Sequence, residues 1–181
     1  MIGLIDYGIG NIQSVRNALE CVGAKVQMCS TAEDFEGKSH LVLPGVSAFA
    51  KGMHNLKERK LVDVIRQKAL AEKIPFLGLC LGMHLLATTG YEGGKTQGLD
   101  LIPGEVLKFD SKDLRIPHMG WNNATVSRPN PILPDLSSSP HFYFVHSFYF
   151  KAQNKDDTIA TVDYGNAFAC VVGKGNIFGA Q

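Results

Sequence analysis

The stretch Pro75-Phe76-Leu77-Gly78-Leu79-Cys80-Leu81-Gly82-Met83 decides the fold of this chain. An apolar run typical of a buried strand ends at Leu79, and apolar residues then recur at helical spacing from Leu81 to Thr88. A strand that passes directly into a helix is the building unit of a parallel sheet covered by helices. The G-x-C-x-G pattern at this junction is typical of a nucleophile elbow.

The elbow makes Cys80 the candidate nucleophile. Small residues two positions before and after it permit the tight turn that lifts the thiol above the sheet. The start of the following helix favours the thiolate, and the N–H of Leu81 can stabilise an oxyanion. The alternative from the residues alone is a buried structural cysteine without chemistry.

Strand and helix patterns alternate upstream of the elbow. The predicted strands are Ile2–Asp6, Lys25–Cys29 and Leu41–Leu43, and the predicted helices are Ile12–Val22 and Leu56–Lys73. We therefore predict an α/β fold, with a mixed, mainly parallel sheet and helices on both faces, in a single domain over residues 1–181.

The pattern changes after Gly90, and short strand-like pieces dominate from Gly104 onward. These pieces are Glu105–Phe109, Phe142–Phe150, Thr158–Val162, Phe168–Val172 and Asn176–Ala180. The segment Ser127–Pro140 is rich in proline and serine and is predicted to be a surface loop.

Composition excludes several classes of partner. With 18 basic and 17 acidic residues the net charge is +1, which gives no field for binding nucleic acid or an anionic membrane. No apolar run approaches the roughly 18 residues that span a bilayer, and Asp6 interrupts any signal-peptide core, so we expect a cytoplasmic protein. The four cysteines lack CxxC spacing, so neither a disulfide framework nor a zinc site is expected.

A cysteine nucleophile needs a base, normally a histidine. His84 follows Cys80 by one helical turn and is expected to line the pocket without pointing back at the sulfur. His118 and His146 lie in strand-like contexts and are expected to be hydrogen-bonded residues of the core or the pocket rim rather than the base. The histidines expected to face solvent are His40, His54 and His141.

Two glycine-containing turns follow the early strands. Pro44-Gly45-Val46-Ser47 offers backbone N–H groups for an oxyanion, although the pattern is a weak signal. Gly8-Ile9-Gly10 is similar to part of a dinucleotide fingerprint, but Gln13 stands where the third glycine belongs, so we expect no nucleotide cofactor.

Five motifs carry a resemblance to a known family: Asp6–Asn11, Pro44–Val46, Gly78–Met83, Pro117–Asn122 and Tyr143–Ser147. Over essentially its whole length the chain resembles the glutaminase subunits of imidazole glycerol phosphate synthases, which are class I (triad) glutamine amidotransferases with a flavodoxin-like fold. The elbow alone indicates the class, whereas the sequence Pro-His-Met-Gly-Trp-Asn at 117–122 indicates this subunit.

The resemblance implies hydrolysis of L-glutamine to glutamate and ammonia through a thioester on Cys80, without a cofactor or a metal. It implies that ammonia passes, sheltered from water, into a (β/α)8-barrel synthase partner in a heterodimer that makes imidazole glycerol phosphate for histidine biosynthesis. The implied site residues are the nucleophile Cys80; the oxyanion-hole residues Gly45, Val46 and Leu81; the glutamine contacts His84, Glu92, Ser147 and Phe148; and the partner-facing Met119, Gly120, Trp121 and Asn122.

Three features depart from the family pattern. His84 stands where the family usually has glutamine, and Ser47 stands where it usually has glycine, so we expect a retuned substrate contact and a more restricted peptide flip. In the family the strand ending Gly-x-Gln continues into Phe-His-Pro-Glu, which supplies the other triad members, and then into a final helix. The sequence given ends at Gln181, so we expect a further tail that carries the base, and no activity from the 181 residues alone.

Other functions remain open at this stage. A related glutaminase subunit for surface-sugar amidation is compatible with the atypical Ser47 and His84, and a catalytically silent scaffold subunit is a third candidate. A free-standing cysteine hydrolase is less favoured because it leaves the motif at 117–122 without a role.

Overall fold

The computed structural model describes residues 1–110, 114–133 and 140–181. Strands and helices alternate in the first part of the chain: β1 (Ile2–Ile5), α1 (Ile12–Cys21), β2 (Val26–Cys29), β3 (His40–Leu43), α2 (Phe49–Glu58), α3 (Val62–Arg66), β4 (Phe76–Leu79) and α4 (Leu81–Leu85). Strands then follow: β5 (Thr89–Gly90), β6 (Thr96–Gln97), β7 (Gly104–Lys108), β8 (His118–Val126), β9 (His141–His146), β10 (Phe148–Ala152), β11 (Thr158–Tyr164), β12 (Asn166–Lys174) and β13 (Ile177–Ala180).

The strands form a mixed sheet in the order β2-β1-β3-β4-β13-β12-β10-β7-β5-β6, to which β11, β8 and β9 are attached through β12. The segment from β2 to β13 by way of β4 is parallel throughout. Past β13, the pairs β13–β12, β12–β10 and β10–β7 are antiparallel. The pairs β12–β11, β11–β8 and β8–β9 are antiparallel as well. The predicted α/β fold with a mixed sheet is confirmed.

Strand β4 lies between β3 and β13 in the parallel half. Its Gly78 is opposite Leu43 of β3 on one side and Gly179 of β13 on the other. Because the carboxyl ends of parallel strands meet at one edge of a sheet, the turns after Leu43 and Leu79 lie next to each other there. This edge therefore brings the Pro44–Val46 turn to the elbow.

The core has two parts. The larger one packs α2, α3 and α4 against the sheet through side chains such as Phe49, Leu56 and Ile65. The smaller one lies on the antiparallel half and includes Phe144 and Phe168. Helix α1 forms where it is predicted but has no fully buried residue. No described helix is long and apolar enough to cross a membrane.

Two predicted elements differ from the structure. The predicted helix Leu56–Lys73 is wrong as a single element, because α2 ends where Lys60 adopts φ 57° and the chain turns to bury Leu61 completely. A second helical segment then comprises α3 and a π-helical turn at Gln67–Ala71.

The predicted strand Phe142–Phe150 is divided at Ser147 into two strands with different partners. Strand β9 pairs with β8, whereas β10 pairs with β7 and β12, so the chain changes direction at this residue. In the predicted loop Ser127–Pro140, the described residues 127–133 and 140 form no helix or strand, and 134–139 lie outside the described residues.

Candidate active site

The elbow has the strained geometry that the sequence predicts. Cys80 adopts φ 53° and ψ −112°, a backbone conformation that residues other than glycine rarely take. A Cβ on Gly78 would lie 2.5 Å from the Gly82 carbonyl oxygen, and a Cβ on Gly82 would lie 1.8 Å from that of Leu43. Both contacts are with backbone atoms, so only glycine fits at either position.

The last residue of β13 and the residue that follows it contact the elbow. The Cys80 N–H donates to the Ala180 carbonyl oxygen at 2.8 Å, and Gln181 Nε2 donates to the Cys80 Sγ at 3.6 Å. The thiol is half-buried. Tyr7 lies close by: burial raises the pKa of its hydroxyl, and the negative charge of a Cys80 thiolate raises that pKa further.

The two segments predicted to stabilise an oxyanion contact each other directly. The Leu81 N–H donates to the Gly45 carbonyl oxygen at 3.3 Å. Gly45 is tightly enclosed, because a Cβ there would lie 2.2 Å from the Tyr7 hydroxyl, which itself donates to the Pro44 carbonyl oxygen at 2.7 Å. In this conformation the Leu81 N–H is engaged by protein, and the carbonyl of the Gly45–Val46 peptide faces it.

A cavity of about 310 Å³ opens beside the thiol. Its lining residues are Val46, Ser47, Cys80, Leu81, His84, Glu92, Val145, His146, Ser147, Phe148 and Gln181. The cavity thus unites the predicted nucleophile with all four predicted glutamine contacts. Gly45 is not part of the lining but accepts a hydrogen bond from Leu81, which is. Residues 119–122, which the resemblance predicts to face a partner, are not part of the lining either.

His84 is a buried wall residue with an unused polar atom. Its Nε2 and the Oε1 of Gln181 have no hydrogen-bond partner among the described residues. Burial, followed by the proximity of His146, lowers the pKa of His84 to about 4, and the Gln181 amide opposes this shift. The ring is therefore neutral near pH 7. His84 does not hydrogen-bond to Cys80 Sγ, as expected, and neither does any other described histidine.

Glu92 is held by the start of α2. Its Oε2 accepts a hydrogen bond from the Phe49 N–H at 2.8 Å, and Phe49 is the first residue of that helix. Since the side chain of the preceding Ala48 cannot cap the helix, the Glu92 carboxylate takes this role from a distant loop. The sequence contained no sign of this contact.

The described residues contain no group of three or more His, Cys, Asp or Glu side chains that could hold a metal ion. All four cysteines are free thiols, with Cys21 exposed and Cys29 and Cys170 buried. Burial raises the pKa of Cys29 to about 11 and that of Cys170 to about 12, so both are poor nucleophiles at neutral pH.

Comparison with known proteins agrees with this geometry. Residues 3–181 match the family described as Glutamine amidotransferase class-I. The chain belongs to this family. It is therefore a glutamine amidotransferase. The resemblance predicted from the sequence is confirmed.

The names of individual relatives are more specific than the family description. The chain is 42% identical to the imidazole glycerol phosphate synthase subunit HisH of Salinibacter ruber, with 100% of this chain and 85% of that protein covered. It is also 42% identical to HisH 1 of Campylobacter jejuni, with 100% and 90% covered.

Solved structures share the fold at lower identity. A crystal structure of a glutamine amidotransferase aligns with a TM-score of 0.77 at 17% identity, covering 99% of this chain and 87% of that one. A glutamine amidotransferase from Thermotoga maritima aligns with a TM-score of 0.70 at 17% identity, covering 99% and 74%. These similarities show the class-I amidotransferase fold.

The part of the cavity wall that contains His146 includes a buried histidine pair. His118 Nδ1 lies 3.0 Å from His146 Nε2, and the two residues are opposite each other in the β8–β9 register. Both were expected to be hydrogen-bonded core or rim residues, and this is confirmed. Their mutual contact escaped sequence reasoning because it depends on strand pairing.

An exposed apolar patch covers the outer side of the same two strands. Met119 is 61% exposed and Trp121 is 73% exposed, and their opposite residues Val145 and Tyr143 are 56% and 55% exposed. The sequence motif identified only the β8 half of this patch. His40, His54 and His141 are exposed, as expected.

Proposed function

We propose that this chain is the glutaminase subunit of an imidazole glycerol phosphate synthase in histidine biosynthesis, with a cytoplasmic location. It hydrolyses L-glutamine and delivers the ammonia to a (β/α)8-barrel partner in a heterodimer. The observation that carries the proposal is the convergence of Cys80 with His84, Glu92 and the Ser147–Phe148 backbone on one cavity. The names of the relatives support the choice of synthase.

The reaction uses Cys80 as a covalent catalyst. A general base takes the thiol proton, and the thiolate attacks the side-chain carboxamide carbon of glutamine. The protonated base then returns that proton to the nitrogen, which the tetrahedral intermediate expels as ammonia. The γ-glutamyl thioester that remains is hydrolysed by water, which restores the thiol and releases glutamate. The strained backbone at Cys80 supports this role because it projects the sulfur from the turn towards the cavity.

The oxyanion hole forms by rotation of one peptide unit. The Gly45–Val46 peptide directs its carbonyl at the Leu81 N–H, so that donor is occupied before the reaction. Rotation of this peptide frees the Leu81 N–H and turns the Val46 N–H inward, which gives two donors for the developing negative charge. Ser47 follows directly and limits the rotation because, unlike glycine, it carries a side chain.

Three groups recognise glutamine. The Glu92 carboxylate pairs with the substrate amino group, and its hydrogen bond from Phe49 holds it in position. The neutral ring of His84 offers its unpartnered Nε2 to a polar group of the substrate. The backbone at Ser147 and Phe148 runs alongside the bound molecule.

Selective labelling tests the nucleophile. A chloroketone analogue of glutamine is expected to alkylate Cys80 in the complex with the barrel partner, with labelling lost in Cys80→Ala and retained in Cys21→Ala. Cys21 is the matched control because it is an exposed free thiol. Labelling that disappears with Cys21→Ala instead, or none at Cys80, would favour a silent scaffold subunit.

Ammonia delivery identifies the synthase. Glutamine-dependent formation of imidazole glycerol phosphate by the full protein with its barrel partner is the expected result. A barrel partner that instead aminates a sugar would contradict the proposed pathway while preserving the glutaminase reaction.

A further inference from the structure

Three hydrogen bonds connect β8 to the cavity wall through the histidine pair. Asn122 Nδ2 lies 3.4 Å from His118 Nε2, and His118 Nδ1 lies 3.0 Å from His146 Nε2. His146 Nδ1 lies 2.8 Å from the carbonyl oxygen of Phe148. The series begins beside the exposed Trp121 and ends at a residue that lines the cavity with Cys80.

The donor and the acceptor of each hydrogen bond in the series can be assigned from the end at the cavity. A carbonyl oxygen only accepts hydrogen bonds, so His146 carries a proton on Nδ1. Burial lowers the pKa of His146 to about 4, so the neutral ring has an unprotonated Nε2 near pH 7. That nitrogen accepts from His118, which must therefore be protonated on Nδ1.

The β8 end leads independently to the same protonation states. Asn122 Oδ1 accepts from the Asn123 N–H at 2.8 Å, and Asn122 Nδ2 donates to the Asp163 carbonyl oxygen at 2.9 Å. These backbone groups determine the orientation of the amide, so it is the Nδ2 group that faces His118 and donates to its Nε2. His118 again has its proton on Nδ1.

Aromatic rings enclose the pair. The ring of Phe144 stacks on His118 with centroids 5.2 Å apart, and Tyr164 lies on it at 4.0 Å. Phe109 and Phe168 approach His146 at 5.2 and 5.0 Å. In such a low-dielectric enclosure each hydrogen bond is stronger than in water, and an unpaired ring nitrogen is costly.

The end of the series lies where the chain bends from β9 into β10. The Phe109 N–H donates to the carbonyl of Ser147 at 3.1 Å, and His146 donates to the carbonyl of Phe148. Both peptide units that border the cavity are thereby fixed in orientation, one by the backbone beyond β7 and one by the histidine ring.

We propose that His118 and His146 are positioning residues that hold the Ser147–Phe148 backbone in the orientation required to bind glutamine. This inference rests on the proposed function. The pair does not touch the reacting atoms; it acts through the backbone that it restrains.

Nitrogen NMR of the protein labelled with ¹⁵N-histidine tests the hydrogen-bond series without any activity. At neutral pH both His118 and His146 are expected to be the Nδ1–H tautomer, which two-bond ¹⁵N–¹H couplings identify. An Nε2–H tautomer at either ring would overturn the proposed direction and, with it, the proposal.

Glutamine affinity tests the positioning role. In a Cys80→Ala background, which prevents turnover, His118→Phe keeps the ring but removes the donor to His146 and is expected to weaken glutamine binding about tenfold. His118→Asn places an amide N–H near the Nδ1 position and is expected to restore most of the affinity. Phe144→Leu is the packing control, because it removes a ring that stacks on His118 without removing a hydrogen bond.

The outcomes separate the two proposals. Failure of the Cys80→Ala parent to bind glutamine would overturn the proposed function and this inference together. Unchanged affinity in His118→Phe, or an equal loss in Phe144→Leu, would overturn the positioning role alone.

Discussion

The parallel and antiparallel halves of the sheet build the site in different ways. In the parallel half, the elbow depends on close backbone approach, with Gly45, Gly78 and Gly82 packed so tightly that a single added carbon would collide with a neighbour. In the antiparallel half, the cavity wall depends on side chains, since the His118–His146 pair and its aromatic enclosure support the Ser147 bend. The candidate nucleophile is therefore held by steric exclusion, and the proposed substrate-binding wall is held by directed hydrogen bonds.

This difference has an energetic consequence. A backbone collision cannot be relieved by a change of rotamer, whereas a lost side-chain hydrogen bond can be compensated in part by repacking or water. Substitutions in the parallel half should therefore act as nearly all-or-none changes, and those in the antiparallel half should be graded.

The largest effect is expected for Gly82→Ala. The added Cβ would lie 1.8 Å from the Leu43 carbonyl oxygen, so β3 and the elbow would have to separate. We expect a loss on the order of 4 kcal/mol or more in the free energy of unfolding by urea. Gly23→Ala is the control: Gly23 has φ 85° and no atom within 4 Å of an added Cβ. Its expected cost is about 1 kcal/mol, and equal losses in the two variants would contradict steric control of the elbow.

Acidification should destabilise the folded chain through its buried histidines. The folded-state pKa values of His84 and His146 are about 4, below the ordinary 6.5, so the unfolded chain binds protons that the folded chain does not. The free energy of unfolding has its full value above pH 6.5. It falls as the pH drops towards 4, by on the order of 3 kcal/mol for each ring. The pH dependence of the free energy of unfolding across this range should become about half as large in His84→Gln, which leaves only His146, and should stay unchanged in His40→Gln, which alters an exposed ring. A flat profile in the parent would contradict the burial argument.

Trp121→Ala tests whether the exposed patch is a binding surface rather than part of the core. Because Trp121 is 73% exposed, the chain's own stability should change by less than about 0.5 kcal/mol. The binding free energy for the proposed barrel partner should weaken by about 2 kcal/mol, measured by titration calorimetry. Val22→Ala shortens an exposed apolar residue that is not part of the patch and is the control. Unfolding of the Trp121 variant would contradict the distinction.

The smallest effect is expected for Glu92→Gln. The amide oxygen can still accept from the Phe49 N–H, so stability should change by less than about 1 kcal/mol. Glutamine affinity should fall about tenfold because the charge opposite the substrate amino group is lost. Glu92→Ala removes both contacts and should lower stability as well as affinity. An unchanged dissociation constant in Glu92→Gln would contradict the proposed amine contact.

Some expectations failed where long-range contacts override local pattern. The apolar spacing of Leu56–Lys73 continues through Lys60, yet burial of Leu61 breaks the helix there. The run Phe142–Phe150 is uniformly strand-like, yet its two halves pair with different strands. Neither break has a glycine or proline to announce it.

The sequence by itself determined the elbow, the α/β class and Cys80 as the candidate nucleophile, because these depend on glycine spacing and apolar periodicity within a few neighbouring residues. Only the tertiary structure decided that Glu92 caps α2, that Leu81 engages Gly45, and that two histidines 28 residues apart share a hydrogen bond. The physical reason is that these contacts join residues far apart in the chain. Strand pairing and packing bring them together, and no local pattern encodes their partners.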